Sequence, residues 1–165
     1  MSNGEKTIGV IGLGNMGGAF AKNLVAAGFH VVGFDIDPAA RRAARKAGAE
    51  LAADAVTVAR VAPVIITSLP NPAALHATVA QLMAAKLPKR TIVEASTFTL
   101  ADKLAAEQAL TDAGHLALDC PVSGTGAQAR VKDLVIYASG DPRAIAKRLI
   151  SIFLRAYSKE PINRS

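Results

Sequence analysis

Three glycines in the run Ile11-Gly12-Leu13-Gly14-Asn15-Met16-Gly17 are spaced so that a chain can turn sharply, present its backbone to an anion and begin a helix against its own strand. Gly12 permits the turn, Gly14 lets a pyrophosphate approach, and Gly17 lets the helix lie close to the first strand. The free N–H groups of the helix start, around Asn15 and Met16, then bind the anion. Asp35 follows Gly12 by 23 residues, about the spacing at which an acidic side chain meets the ribose hydroxyls of a dinucleotide. Asp35 would repel a 2′-phosphate and Ile36 offers it no positive charge, so NAD is expected ahead of NADP. Arg41 and Arg42 temper that preference, because a loop shift would bring a guanidinium towards a phosphate. Each element also has a plainer reading: a ligand-free tight turn for the glycines, and a solvated turn acid beside Asp37 and Pro38 for Asp35. Strand, helix and acid together favour dinucleotide binding.

The elements that must position these residues are legible as an alternation. Thr7 to Ile11, Val31 to Phe34, Val64 to Ser68, Thr91 to Glu94 and His115 to Asp119 are short and continuously apolar at their centres, as parallel strands covered on both faces should be. Between them, Met16 to Ala27, Pro38 to Ala47, Pro72 to Ala85 and Leu100 to Ala113 read as helices. Met16, Phe20 and Leu24 form one stripe facing the sheet, and Gly28, Gly48 and Gly114 sit where helices end. A further strand, Leu134 to Ala138, and a helix from Pro142 to about Ala156 close the pattern. The expected fold is α/β, a doubly wound and mostly parallel sheet of Rossmann type with right-handed crossovers, over 1–165 as one domain.

Composition narrows the function classes. The 165 residues are 51% hydrophobic and 19% charged, enough for a packed core, but only 4% aromatic with no Trp, so Ala, Val, Leu and Ile must build it. The net charge of +6 comes from scattered Lys and Arg without runs or interleaved aromatics, so no nucleic-acid partner is expected. Cys120 is the single cysteine, which excludes an internal disulfide and a multi-cysteine zinc site and points to a reducing compartment, the cytoplasm by default. No membrane span is expected, because Asp54 and Arg60 interrupt the most apolar stretch, Leu51 to Leu69, and Met1 to Lys6 has no signal-like apolar segment.

The later strand ends carry Ser68-Leu69-Pro70, Ser96-Thr97 and Pro121-Val122-Ser123-Gly124. With the glycine run and Ala21-Lys22-Asn23-Leu24 behind it, these make nearly the whole chain resemble the β-hydroxyacid dehydrogenase family, of the 3-hydroxyisobutyrate dehydrogenase and tartronate semialdehyde reductase type. The resemblance implies hydride transfer between NAD and a small 3-hydroxy acid or semialdehyde. It places Leu69 and Pro70 on the adenosine and nicotinamide-ribose side, Thr97 at the nicotinamide end, and Ser123 and Gly124 on the carboxylate of a small anionic substrate. Alone, Ser123-Gly124 would read as a simple turn, and Ser96-Thr97 as an N-cap before the helix near Leu100.

The chain departs from the family at three points. Thr125 and Lys132 stand where relatives often have glycine. The family's catalytic lysine, in a G-x-G-x-x-x-K-x-x-N segment, and its all-helical second domain are expected beyond Ser165. The reading is therefore of a truncated chain with no catalytic residue of its own, poorly active alone, whose full-length form is a homo-oligomer. Lys86, Lys89, Lys103 and Lys132 are expected to be solvated surface charges, and His30, His76 and His115 isolated, with no metal site. Two alternatives remain: a non-catalytic dinucleotide-binding module, and an imine reductase-like enzyme.

Overall fold

The computed structural model describes residues 6–157. Six strands, β1 (Thr7–Ile11), β2 (His30–Phe34), β3 (Glu50–Leu51), β4 (Val64–Thr67), β5 (Thr91–Glu94) and β6 (Leu116–Asp119), form one parallel sheet in the order β3-β2-β1-β4-β5-β6. The order reverses between β1 and β4, so a crevice opens at their carboxyl ends, where ligands bind in open α/β sheets.

Alternation along the buried strands feeds two cores. Ile8, Val10, Val64 and Ile66 pack beneath α1 (Asn15–Ala26) and α2 (Pro38–Lys46), against Phe20, Leu24 and Ala44. Ile11, Ile65 and Ile92 face α3 (Ala55–Val61), α4 (Pro72–Ala84) and α5 (Leu100–Asp112), against Val58, Leu75, Leu82 and Leu110. Both faces of the sheet are thus covered, as the unbroken apolar character of its strands requires.

Beyond β6 the chain leaves the main sheet. Asp119 makes an antiparallel bridge to Ser139, and β7 (Val122–Ser123) pairs with β8 (Val135–Ile136) in a separate two-stranded sheet, with α6 (Gly126–Arg130) between them. The closing helical run is α7 (Pro142–Ala144), a π-helical turn over Ile145–Leu149, and α8 (Ile150–Tyr157). Phe153 and Tyr157 dock edge-on against Phe20 of α1, with ring centroids 5.9 and 6.1 Å away. Among the described residues no helix is long and apolar enough to cross a membrane.

The sequence reading differs from this architecture in three places. The apolar stretch Leu51 to Leu69 conceals β3 and α3, because a two-residue edge strand and a seven-residue helix carry too few turns for a period to emerge. The strand expected over Leu134 to Ala138 shortens to Val135–Ile136 and pairs with β7, not with the parallel sheet. Gly126–Arg130 is helical, started by a capping box in which Thr125 Oγ1 accepts from Gln128 N and Gln128 Oε1 from Thr125 N.

Candidate dinucleotide-binding site

The glycine run folds as a tight junction between β1 and α1. Gly12 has φ +89°, and a Cβ there would overlap the Ser68 carbonyl oxygen; its N–H donates to the Phe34 carbonyl at 2.9 Å. Ser68 N donates to the Ile11 carbonyl at 2.9 Å, so the exits of β2, β1 and β4 are stitched side by side. A Cβ on Gly17 would overlap the Gly12 carbonyl oxygen, which is how closely α1 lies against the turn. Gly14 differs, since a Cβ there would meet nothing within 4 Å. The backbone at Gly14 faces open space.

The start of α1 is chemically unlike the others. Helices α2 to α7 begin with Asp37, Asp54, Asn71, Thr99, Thr125 and Asp141, each accepting backbone N–H groups through its side chain, whereas Gly14 supplies no side-chain cap to α1. Its first intrahelical bond is Gly18 N to the Gly14 carbonyl at 2.7 Å, so the N–H groups of Asn15 and Met16 precede the helical ladder. Asn15 is exposed and Met16 half-buried. With no acidic residue in the first turn, the positive end of the helix is left for an external anion.

Asp35 closes the adjacent wall. Its Oδ2 accepts from Leu13 N at 2.6 Å and its Oδ1 from Asp37 N at 2.8 Å, so two amides fix the carboxylate at the exit of β2. Leu13 therefore spends its N–H on Asp35, while its buried side chain packs over Gly33. Arg41 stacks 5.5 Å over the Phe34 ring and its Nη1 donates to the Asp35 carbonyl at 3.4 Å. One guanidinium thus already borders this corner. Gly14, Asn15, Lys22, Asp37, Ala40 and Arg130 help line a cleft of about 420 Å³ between α1 and α2.

The other residues singled out in the sequence lie along the same carboxyl edge. Leu69 is half-buried and Pro70 exposed in the turn after β4, and Thr97 is exposed after β5. The helix cap here is Thr99, whose Oγ1 accepts from Asp102 N, so Ser96 and Thr97 do not cap α5. Ser96 is buried instead, and its Oγ accepts from Leu69 N at 2.9 Å. Ser123 and Gly124 are exposed beyond β6, and α6 brings them towards the glycine turn: a Cβ on Gly126 would come to 3.0 Å of Asn15 Cβ, and Asn23 Nδ2 donates to the Ala129 carbonyl at 2.8 Å. Lys132 has φ +62°, the left-handed backbone that favours glycine.

Lys103 corrects the sequence reading. It is not a solvated surface charge: its side chain is only 9% exposed, its ammonium donates to Asp119 Oδ1 at 2.7 Å, and it makes an ion pair with Glu94 Oε2. Glu94 and Asp119 are register partners at the last rung of β5 and β6, so two like charges would face one another without it. Two acidic residues closing otherwise apolar strands were the available signal, because neither can be buried unpaired. The histidines meet carboxylates or backbone. His30 Nε2 lies 2.9 Å from Glu50 Oε2, His76 Nε2 lies 3.1 Å from Asp102 Oδ1, and His115 is buried with Nδ1 accepting from Arg90 N at 3.2 Å. Cys120, next to Asp119, is fully buried, and burial together with the Asp119 charge pushes its thiol up to about 12.

A parallel sheet of this order, a side-chain-free helix start at its switch point and an acid on the neighbouring strand define a dinucleotide-binding Rossmann domain. The chain belongs to the family described as the NAD binding domain of 6-phosphogluconate dehydrogenase, whose profile matches residues 7–160. A Mycobacterium tuberculosis relative named "Probable 3-hydroxyisobutyrate dehydrogenase" is 33% identical over 141 residues, 86% of this chain and 48% of the relative. An L-threonate dehydrogenase from Haemophilus influenzae is 32% identical over 148 residues, 87% of this chain and 49% of its own. A solved structure of the M. tuberculosis 3-hydroxyisobutyrate dehydrogenase with L-serine superposes with a TM-score of 0.87 at 31% identity, over 93% of this chain and 52% of that one. The chain spans about half the length of the relatives it matches. These findings bear out the resemblance to 3-hydroxyacid dehydrogenases and the doubly wound fold.

Proposed function

We propose that residues 1–165 form the cofactor-binding part of an NAD-dependent 3-hydroxyacid dehydrogenase that works between a small anionic 3-hydroxy acid and its semialdehyde. The observation that carries this reading is the uncapped start of α1 facing open space at Gly14, with Asp35 fixed beside it by Leu13 N and Asp37 N. The residues fit an NAD pyrophosphate: Gly12 and Gly17 hold the turn, Gly14 leaves room, and Asn15 and Met16 offer N–H groups. Leu13 acts by holding Asp35, whose remaining lone pairs accept from the adenosine ribose hydroxyls. The carboxylate disfavours a 2′-phosphate, which supports NAD over NADP.

Leu69 and Pro70 border the adenosine and nicotinamide-ribose side, and Thr97 the nicotinamide end. When bound, NAD supplies the hydride acceptor or donor. Ser123 and Gly124, with a hydroxyl and a backbone N–H, suit the substrate carboxylate. No described residue is proposed as the acid/base, because Lys103 is held between two carboxylates. We assign the whole protein to the cytoplasm and to a homo-oligomer.

Calorimetric titration of this chain with NADH, NAD and NADPH tests the reading. NADH binds, NAD displaces it, NADPH binds at least tenfold more weakly, and 3-hydroxyisobutyrate is turned over slowly or not at all, since acid/base catalysis is worth about 10²- to 10⁴-fold. Failure of both NADH and NAD to bind would falsify it.

A further inference from the structure

We propose that Lys103 is a positioning residue for the nicotinamide end of the site, acting through Glu94 and Ser96; this rests on the NAD-binding reading above. The last rung of the sheet facing α5 changes from apolar to polar, with Thr67, Glu94 and Asp119 as register partners on β4, β5 and β6. Lys103, from the first turns of α5, joins the two carboxylates. The second Glu94 oxygen, Oε1, accepts from Ser96 N at 2.9 Å, and Ser96 Oγ accepts from Leu69 N at 2.9 Å. A continuous run of hydrogen bonds therefore passes from α5, through the turn that carries Thr97, to the turn that carries Leu69 and Pro70. Its other arm fixes Asp119, from which the chain leads directly to Pro121 and Ser123.

Without the ammonium, Glu94 and Asp119 repel each other across the rung, and Glu94 is driven out of the position in which it receives Ser96 N. The glycine turn and Asp35 are held by other partners, namely Phe34 O, Leu13 N and Asp37 N. Loss of Lys103 should therefore act first on the turn that carries Thr97, at the nicotinamide ring, while Leu69 N keeps its bond to Ser96 Oγ and the glycine turn and Asp35 keep the adenosine diphosphate part.

ADP-ribose, which lacks the nicotinamide, separates the two halves. Titrations of the full chain are run with NADH and with ADP-ribose on wild type, Lys103→Met, Lys103→Arg and Glu94→Ala. Wild type binds NADH more tightly than ADP-ribose. In Lys103→Met that advantage falls about tenfold, the scale of one charged hydrogen-bond arrangement lost, while ADP-ribose affinity stays within about twofold. Lys103→Arg restores most of the advantage, because a guanidinium still donates to both carboxylates. Glu94→Ala, which removes the acceptor of Ser96 N while Lys103 stays paired with Asp119, shows the same selective loss and stands in if Lys103→Met does not fold. Equal weakening of both ligands, no change in either, or a wild type that binds NADH no better than ADP-ribose overturns the proposal. A wild type that binds ADP-ribose keeps the cofactor reading in every one of those cases, whereas a wild type that binds neither ligand defeats both.

Discussion

The two ends of the crevice are made from different materials. At the β1–β2 end the surface is backbone: a turn that admits no Cβ at Gly12 or Gly17, an uncapped helix start, and a single side chain, Asp35, fixed by two amides. At the β5–β6 end it is a side-chain assembly, in which Lys103, Glu94, Asp119 and Ser96 hold the strand exits through ion pairs and hydrogen bonds. Backbone geometry tolerates no enlargement at Gly12 or Gly17 but leaves Gly14 open. An ion cluster tolerates loss of charge only in matched sets, because removing one charge strands another. The fold therefore presents a rigid backbone turn with an uncapped helix start on one side and an ion-paired frame of side chains on the other.

Substitutions can break this contrast. Gly17→Ala should cause the largest change, more than about 4 kcal/mol of stability by denaturant titration, because the new methyl overlaps a backbone carbonyl that cannot move away. Gly14→Ala is its control: with no atom within 4 Å it should cost no more than about 1 kcal/mol, the N-cap preference, while weakening NADH. A mildly destabilised Gly17→Ala would show that the turn is softer than its geometry.

Next in size, Lys103→Met should cost about 2–3 kcal/mol, somewhat below the usual loss for a broken buried pair because the Asp119 side chain is 38% exposed. The matched variant Glu94→Gln, Asp119→Asn, Lys103→Met should recover much of that, since no unpaired charge remains; if it is no more stable than the single variant, repulsion is not the cause. Asp35→Ala should lower NADH affinity about 10- to 100-fold in calorimetry, equivalent to 1.4–2.7 kcal/mol, and narrow the preference over NADPH.

The smallest effect concerns pH. Burial, and secondarily the Arg90 charge, hold the His115 imidazole below its ordinary value of 6.5. As pH falls through about 6.5 the unfolded chain takes up a proton before the folded one does, so this residue's contribution to stability declines from pH 7 downwards. Denaturation midpoints at pH 7 and 5.5 should differ less in His115→Gln than in wild type. An unchanged difference would mean that the imidazole is free to charge in place.

The same contrast explains what could be read from the sequence. The glycine turn and Asp35 are local: fixed residue types within 23 positions, where sterics permit nothing else at Gly12 and Gly17. Most strands and helices were also legible, because strands covered on both faces must be apolar throughout and because helices such as α1 carry a stripe at i, i+4, i+8. Lys103 was not. Its partners lie 9 and 16 residues away, and only the register of β5 on β6 turns three ordinary charged residues into a cluster. Likewise β7 and β8 pair across an intervening helix, with no turn signal joining them, and β3 is too short to show a period.

Cys120 stands at the seam of the frame, its N–H bonded to the Glu94 carbonyl at 2.8 Å and its thiol sealed from water and held protonated. As the chain's single cysteine, packed in the core beneath α1 and α8, it makes the molecule its own reporter: a soluble thiol reagent reaches sulfur only when this part of the core opens, so the rate of labelling follows how often it stands open. Any ligand or substitution that tightens this part of the core slows the labelling, with no cysteine introduced.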